Sequence, residues 1–180
     1  SNNLEPLYEI GDFAEGGIVF YIDETSNHGL VAALNDIQDS LQWGCYSEFV
    51  EGAVAYSIGT GYQNTLAIIN ECSELPIAAS EALAYESDGY NDWYLPSQDE
   101  LIEMYYTIGD GSSQGNVGGV ENSIWSYYWS STQGLNDNGP YPVSAHFSNL
   151  SNFHLFAGWG RHPPFDGYQS ITFTRPIRSF

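Results

Sequence analysis

The side chains of this sequence that could do chemistry are two cysteines, four histidines and 23 carboxylates, set against three arginines and no lysine. Cys45 and Cys72 lie 27 positions apart, and neither has a second cysteine at the short spacing a zinc site wants. One disulfide made in an oxidising compartment suits them; two buried free thiols are the alternative. Closing a loop of about 26 residues would contribute roughly 3 kcal/mol in the chain-entropy account. His28, His146, His154 and His162 are scattered, with no H-E-x-x-H motif. A phosphate loop needs a lysine that is absent. The reading is a protein that is not an enzyme.

The carboxylates raise the question of a hard cation, which wants several oxygen ligands. Asp88, Asn91 and Asp92 form the candidate metal set, and Asn136, Asp137 and Asn138 a second cluster. Asx-turn chemistry is the alternative for both. Calcium is the one cofactor worth considering. The pair Asp99 and Glu100 reads as helix N-terminal charge rather than as catalysis.

A different chemistry is offered by rings. Trp159, Arg161, His162, Phe165 and Tyr168, with His154 and Phe156 just before them, sit among glycines and prolines. Tyrosine, tryptophan and arginine dominate interface energetics. These seven are the candidate ligand-binding residues. Folding back over a small subsidiary core is the competing reading. Trp93, Trp125 and Trp129 are read as core.

The whole chain bounds the partners. Its 180 residues carry a formal charge of −20, which repels nucleic acid and anionic lipid. Aromatics at 16% and hydrophobics at 42% rule out a disordered chain. No run approaches the ~18–20 apolar residues that span a membrane. The sequence begins at Ser1 and its single methionine is Met104, so a removed leader or an excised piece is expected.

The elements follow from pattern. Residues 1–12 read as an arm or edge strand, and 13–180 as one domain. Ile18–Ile22 and Leu30–Leu34 read as a hairpin. Short helices are expected over Gln63–Cys72 and Ile77–Tyr85. Ser97 and Glu100 form a capping box for a third helix with Leu101, Met104, Tyr105 and Ile108 on one face, ended by Gly109. Trp125–Trp129, the alternating run Tyr141–Phe147, and one last strand from Ile171 to Phe180 complete the set. Residues 149–170 read as a long irregular connection. The fold class is α+β, mostly antiparallel sheet with two or three short helices and long loops.

Several words occur together in order: Gly16-Gly17-Ile18-Val19-Phe20-Tyr21, His28-Gly29-Leu30-Val31-Ala32-Ala33, Trp43-Gly44-Cys45, Gly89-Tyr90-Asn91-Asp92-Trp93-Tyr94-Leu95-Pro96-Ser97, Tyr128-Trp129-Ser130-Ser131-Thr132 and Arg175-Pro176-Ile177-Arg178-Ser179-Phe180. Over roughly residues 10–180 the chain thereby resembles the C-terminal domains of Lcl-type collagen-like adhesins of bacteria. Those have a C-type lectin fold and are related to the variable proteins of diversity-generating retroelements. The resemblance implies a C-type-lectin-like domain with adjacent termini and a binding surface in its C-terminal third, here residues 134–170. The chain is more distantly similar to the formylglycine-generating enzymes, but the late cysteine pair of those enzymes is missing, since residues 73–180 hold no cysteine. The Glu-Pro-Asn and Gln-Pro-Asp triplets of sugar-binding lectins are missing too. The expectation is a secreted or cell-surface binding and adhesion domain that recognises a glycan or a protein on a surface. The alternative is a structural subunit of an extracellular fibre or surface layer, self-associating through its N-terminal arm.

Overall fold

The computed structural model describes residues 7–37, 41–45, 48–121, 126–136, 139–146, 154–157 and 171–180. Within them the chain is α+β, as its patterning predicts. It begins with β1 (Phe13–Ala14), β2 (Gly17–Ile22) and β3 (Gly29–Ala32). A 3-10 turn at Glu51–Ala53 precedes α1 (Gly61–Glu71), α2 (Ala78–Ala84) and α3 (Gln98–Ile108). Then come β4 (Ser126–Asn136), β5 (Gly139–His146), β6 (His154–Ala157), β7 (Ile171–Phe173) and β8 (Ile177–Ser179).

The strands form two four-stranded sheets, ordered β1-β2-β3-β8 and β6-β5-β4-β7. All pairings are antiparallel except β4 with β7. The first hairpin turns on Glu15 and Gly16, both at positive φ (54° and 81°), while Ala14 pairs with Gly17. Two successive positive φ values give the turn whose twist matches its strands. Gly17 is required for another reason: a Cβ there would lie 2.3 Å from the Ala32 carbonyl oxygen of the neighbouring strand.

The single last strand expected from Ile171 to Phe180 is two strands in different sheets. β7 lies beside β4 and β8 beside β3. The chain crosses between them at Arg175-Pro176. Pro176 has no N–H to continue a ladder, and the Arg175 side chain turns inward to a buried set of acceptors. The stretch 149–170 is also not wholly irregular, because β6 lies within it and pairs with β5. Residues Gly134, Leu135 and Asn136 belong to β4 and Gly139 to β5, so the start of the implied binding surface is strand.

α3 has the predicted capping box. The Ser97 hydroxyl accepts from the Glu100 amide at 3.3 Å, and Glu100 Oε2 accepts from the Ser97 amide at 2.6 Å. Its apolar face (Leu101, Met104, Tyr105, Ile108) meets Phe20, Leu30, Tyr94, Tyr128 and Ile177 in one core. A second core gathers Trp43, Trp129, Ile68, Ile77 and Leu95 around the Cys45–Cys72 disulfide. That bond ties the irregular stretch before residue 60 to the end of α1. Trp93 and Trp129 are fully buried, as predicted for core; Trp125 lies outside the described residues. No helix among the described residues is long and apolar enough to cross a membrane.

Of the expected arm, residues 1–6 lie outside the described part. Tyr8 and Ile10 pack on the domain. The Tyr8 ring meets Phe180 edge-on at 5.3 Å, which brings the two ends of the domain together.

Candidate functional site

The site is built from a turn. Thr60 N–H donates to the Ser57 carbonyl, with Gly59 at φ +89° in the third position. A positive φ there is what a type II turn requires, and glycine supplies it without strain. Two interactions fix the turn against the start of α3. Glu100 Oε1 accepts from the Gly59 amide at 2.8 Å, and the Ser97 hydroxyl donates to the Ser57 carbonyl at 3.0 Å. Asp99 N–H donates to the Tyr56 carbonyl at 2.9 Å. Glu100 thus does more than complement a helix dipole: its buried carboxylate joins a loop to a helix. Burial pushes its carboxyl above the ordinary range, and amide donors from Ser97 and Gly59 oppose that. Gly61 leaves it room, because a Cβ there would stand 2.3 Å from Glu100 Oε2.

The segment leading into the turn is held by a bulge in β4. The register of β4 against β5 shifts between Trp129 and Gln133. The freed hydroxyls are used at once: Ser130 donates to the Val143 carbonyl and Thr132 to the Ala55 carbonyl. The Gln133 amide accepts from Val50 N–H and donates to the Glu48 carbonyl, pairing that loop as a strand would.

Beside the turn lies a cavity of about 540 Å3 lined by Tyr62, Gln63, Asn91, Asp92 and Tyr94, among others. A second cavity of about 430 Å3 is lined by Tyr21, Asp23, His28, Ile58 and Phe180. Leu30, Gly59 and Ser179 line both, so the two form one groove between the turn and the β3–β8 edge. Tyr62 stands edge-on to Tyr94 with centroids 5.6 Å apart. Burial holds the Tyr94 phenol far above its ordinary value.

Asp92 is the carboxylate of the larger half. Arg178 Nε donates to Oδ1 at 2.6 Å and Nη2 to Oδ2 at 2.9 Å. Arg178 Nη1 reaches the Glu15 carbonyl at 3.1 Å and Glu15 Oε2 at 3.3 Å, and the guanidinium lies 4.0 Å over the Tyr90 ring. Tyr8 donates to Glu15 Oε1 at 2.8 Å. Hydrogen bonds from Arg178 hold Asp92 below the usual carboxylate range, and those from Tyr8, then Tyr90 and Arg178, do the same for Glu15.

Both carboxylates are therefore more acidic folded than unfolded. Their contribution to stability is present above the ordinary carboxylate pKa of ~4 and is lost as pH falls through the lowered folded values. The Asp92 side chain is 55% exposed, so screening keeps the ion pair to about 1–2 kcal/mol. Arg178→Met should lower stability by that amount at neutral pH. Denaturant melts should show the gap to wild type closing as pH is taken below ~4. A gap that does not change with pH would remove the two carboxylates from the account.

Asp23, His28 and Ser179 line one cavity without forming a relay. Asp23 Oδ1 is taken by the Thr25 amide and hydroxyl and, at 3.4 Å, the His28 amide. The sequence holds one G-x-S-x-G spacing, Gly111-Ser112-Ser113-Gln114-Gly115, which the reading of the motifs passes over. It follows a helix instead of a strand and lies in exposed turns, so the chemistry of that motif has no support here.

The predicted metal residues divide. Asp88 and Asn91 line a small cavity of about 290 Å3, and Asn91 and Asp92 line the groove. Asp92 faces Arg178. No group of three or more His, Cys, Asp or Glu side chains gathers among the described residues. Of the predicted ligand-binding set, Trp159, Arg161, His162, Phe165 and Tyr168 lie outside the described residues. His154 and Phe156 are on β6, paired with His146 and Ser144 of β5. The groove itself is not legible in the sequence, since its walls come from residues 21–30, 58–63, 83, 91–94 and 179–180. No protein-family model matches the chain, and no curated protein matches it.

Proposed function

We propose that this chain is an extracellular, non-enzymatic binding and adhesion domain of C-type-lectin type, which recognises a glycan or protein on a surface through the groove beside the Ser57–Thr60 turn. The observation that carries the reading is the lining. It offers a half-exposed tyrosine (Tyr62), amide side chains (Gln63, Asn91) and a carboxylate already committed to Arg178. Such groups orient and hold a ligand, with polar contacts fixing direction and rings supplying area. The disulfide is compatible with an oxidising, extracellular setting.

Arrays of surface glycans and immobilised surface proteins, probed with the labelled domain, test it. Saturable binding should appear, and Tyr62→Ala should weaken it about tenfold while leaving Tm unchanged. Binding that Tyr62→Ala leaves intact would move the site off this groove. One observation favours a fibre or layer subunit instead. Leu7 is 72% exposed and Phe13, on the edge strand β1, 60% exposed. Concentration-dependent growth in sedimentation, abolished by Phe13→Ser, would establish that alternative.

A further inference from the structure

The groove is bordered by apolar side chains that the turn pushes outward. Ile58, at the tip, is 36% exposed and Tyr62 43% exposed; Tyr56, two residues earlier, is 59% exposed. Opposite Ile58 the wall is Tyr21, Leu30 and Phe180. Side chains of this kind normally find cover, and among the described residues nothing covers them.

Charge decides what could. Both described arginines are consumed internally: Arg175 by Asp36 and three carbonyls, Arg178 by Asp92 and Glu15. Among the described residues, His28 is then the one other basic side chain lining the groove. Asp92, whose side chain is 55% exposed although both its oxygens accept from Arg178, lines one half of the groove and Asp23 the other. Glu86 and Asp88 line the neighbouring cavity, which Asn91 shares with the groove. The field of a chain at −20 draws cations to such a cleft and repels both a second copy and any acidic ligand.

Resting on the reading of this groove as the ligand site, we propose that it docks a basic polypeptide segment of the partner. An aliphatic or aromatic side chain of that segment fills the space between Ile58, Leu30 and Phe180, and a flanking lysine or arginine meets Asp92. A polypeptide is favoured over a neutral sugar because the wall around Ile58 is mainly apolar. A sugar presents hydroxyls that this wall cannot satisfy.

Fluorescence anisotropy with the whole chain tests this. The probes are a short labelled peptide alternating lysine with leucine, the same peptide with glutamate for lysine, one with serine for leucine, and a neutral oligosaccharide. The lysine–leucine peptide should bind, the glutamate peptide should not, and added salt should weaken binding. Ile58→Ser and Tyr62→Ala, both at exposed positions, should each weaken it about tenfold with Tm unchanged, as truncating an interface anchor does. Two results overturn the proposal. Equal affinity for the leucine and serine peptides, untouched by Ile58→Ser, would mean attraction to a polyanion without a groove. Oligosaccharide binding that Tyr62→Ala removes, with no peptide binding, would keep the groove as the ligand site and replace the occupant. If no probe responds to either variant, the reading of the groove falls as well.

Discussion

Replacing Arg175 by alanine should cost about 3–5 kcal/mol, the loss that follows from stranding a buried charge. Arg175 is 1% exposed in the crossing between β7 and β8. Its Nη1 donates to the Ala33 and Gly118 carbonyls at 2.9 and 3.0 Å, and its Nη2 to the Gly119 carbonyl at 3.1 Å. Its Nε pairs with Asp36. The other oxygen of Asp36 accepts from the Tyr128 hydroxyl at 2.7 Å, and that hydroxyl accepts from Glu121 N–H at 2.6 Å. One guanidinium therefore joins the loop after β3, the loop before β4, β4 itself and the final crossing. Alanine removes its donors and leaves the carboxylate with a single neutral partner. At this chain length the loss corresponds to a fall in Tm of roughly 10 °C. Arg175→Met with Asp36→Leu should recover much of it, because an apolar pair leaves no charge behind. A single variant that loses less than about 1 kcal/mol would show the network to be incidental.

Trp129→Ala should have a comparable effect, about 3–5 kcal/mol, for a different reason. Trp129 and Trp43 are both fully buried and their indoles are pinned reciprocally. Trp129 Nε1 donates to the Leu41 carbonyl at 2.8 Å, and Trp43 Nε1 to the Ser130 carbonyl at 2.7 Å. The segment 41–43 is thus fastened to β4 by two side chains. Removing the Trp129 indole opens a cavity in the core that contains the disulfide and frees one of those ties. Trp129→Phe keeps most of the volume and strands the Leu41 carbonyl, so about 1–3 kcal/mol is expected. Urea melts of the two variants check the order. A phenylalanine variant as damaged as the alanine one would mean that the hydrogen bond, not the volume, dominates.

What could be read in the sequence was local or chemically unambiguous. The capping box at Ser97 and Glu100 needs only a spacing of three and two side-chain types. The β2–β3 hairpin and the apolar face of α3 need only a period. The two cysteines could pair only with each other, and they do. Arg175 and Arg178, both nearly buried, are ion-paired with Asp36 and Asp92. The split of 171–180 was harder. Alternation continues through Thr174, and the sole warning is Pro176, whose missing N–H ends one ladder before Ile177 starts another. The groove was invisible because no local pattern encodes it. Glu100 meets Gly59 across 41 positions, and Gln133 meets Val50 across 83. Such pairings depend on the path of the chain, and a capping glutamate looks the same whether or not a loop also hangs from it.

The inward use of the arginines bears on how long such a domain would last among secreted proteases. An enzyme of tryptic specificity must seat a lysine or arginine in extended, accessible backbone. Lysine is absent from the sequence, and the bond after Arg175 leads into Pro176, which such enzymes do not cut. The bond after Arg178 lies within β8, hydrogen-bonded to β3, with its side chain clasped by Asp92 and Glu15. Arg161-His162 is the one tryptic bond left that neither a following proline nor a described strand protects. Any tryptic cleavage should therefore be confined to that one bond, and residues 162–180 would stay with the body only as long as β8 remains paired with β3.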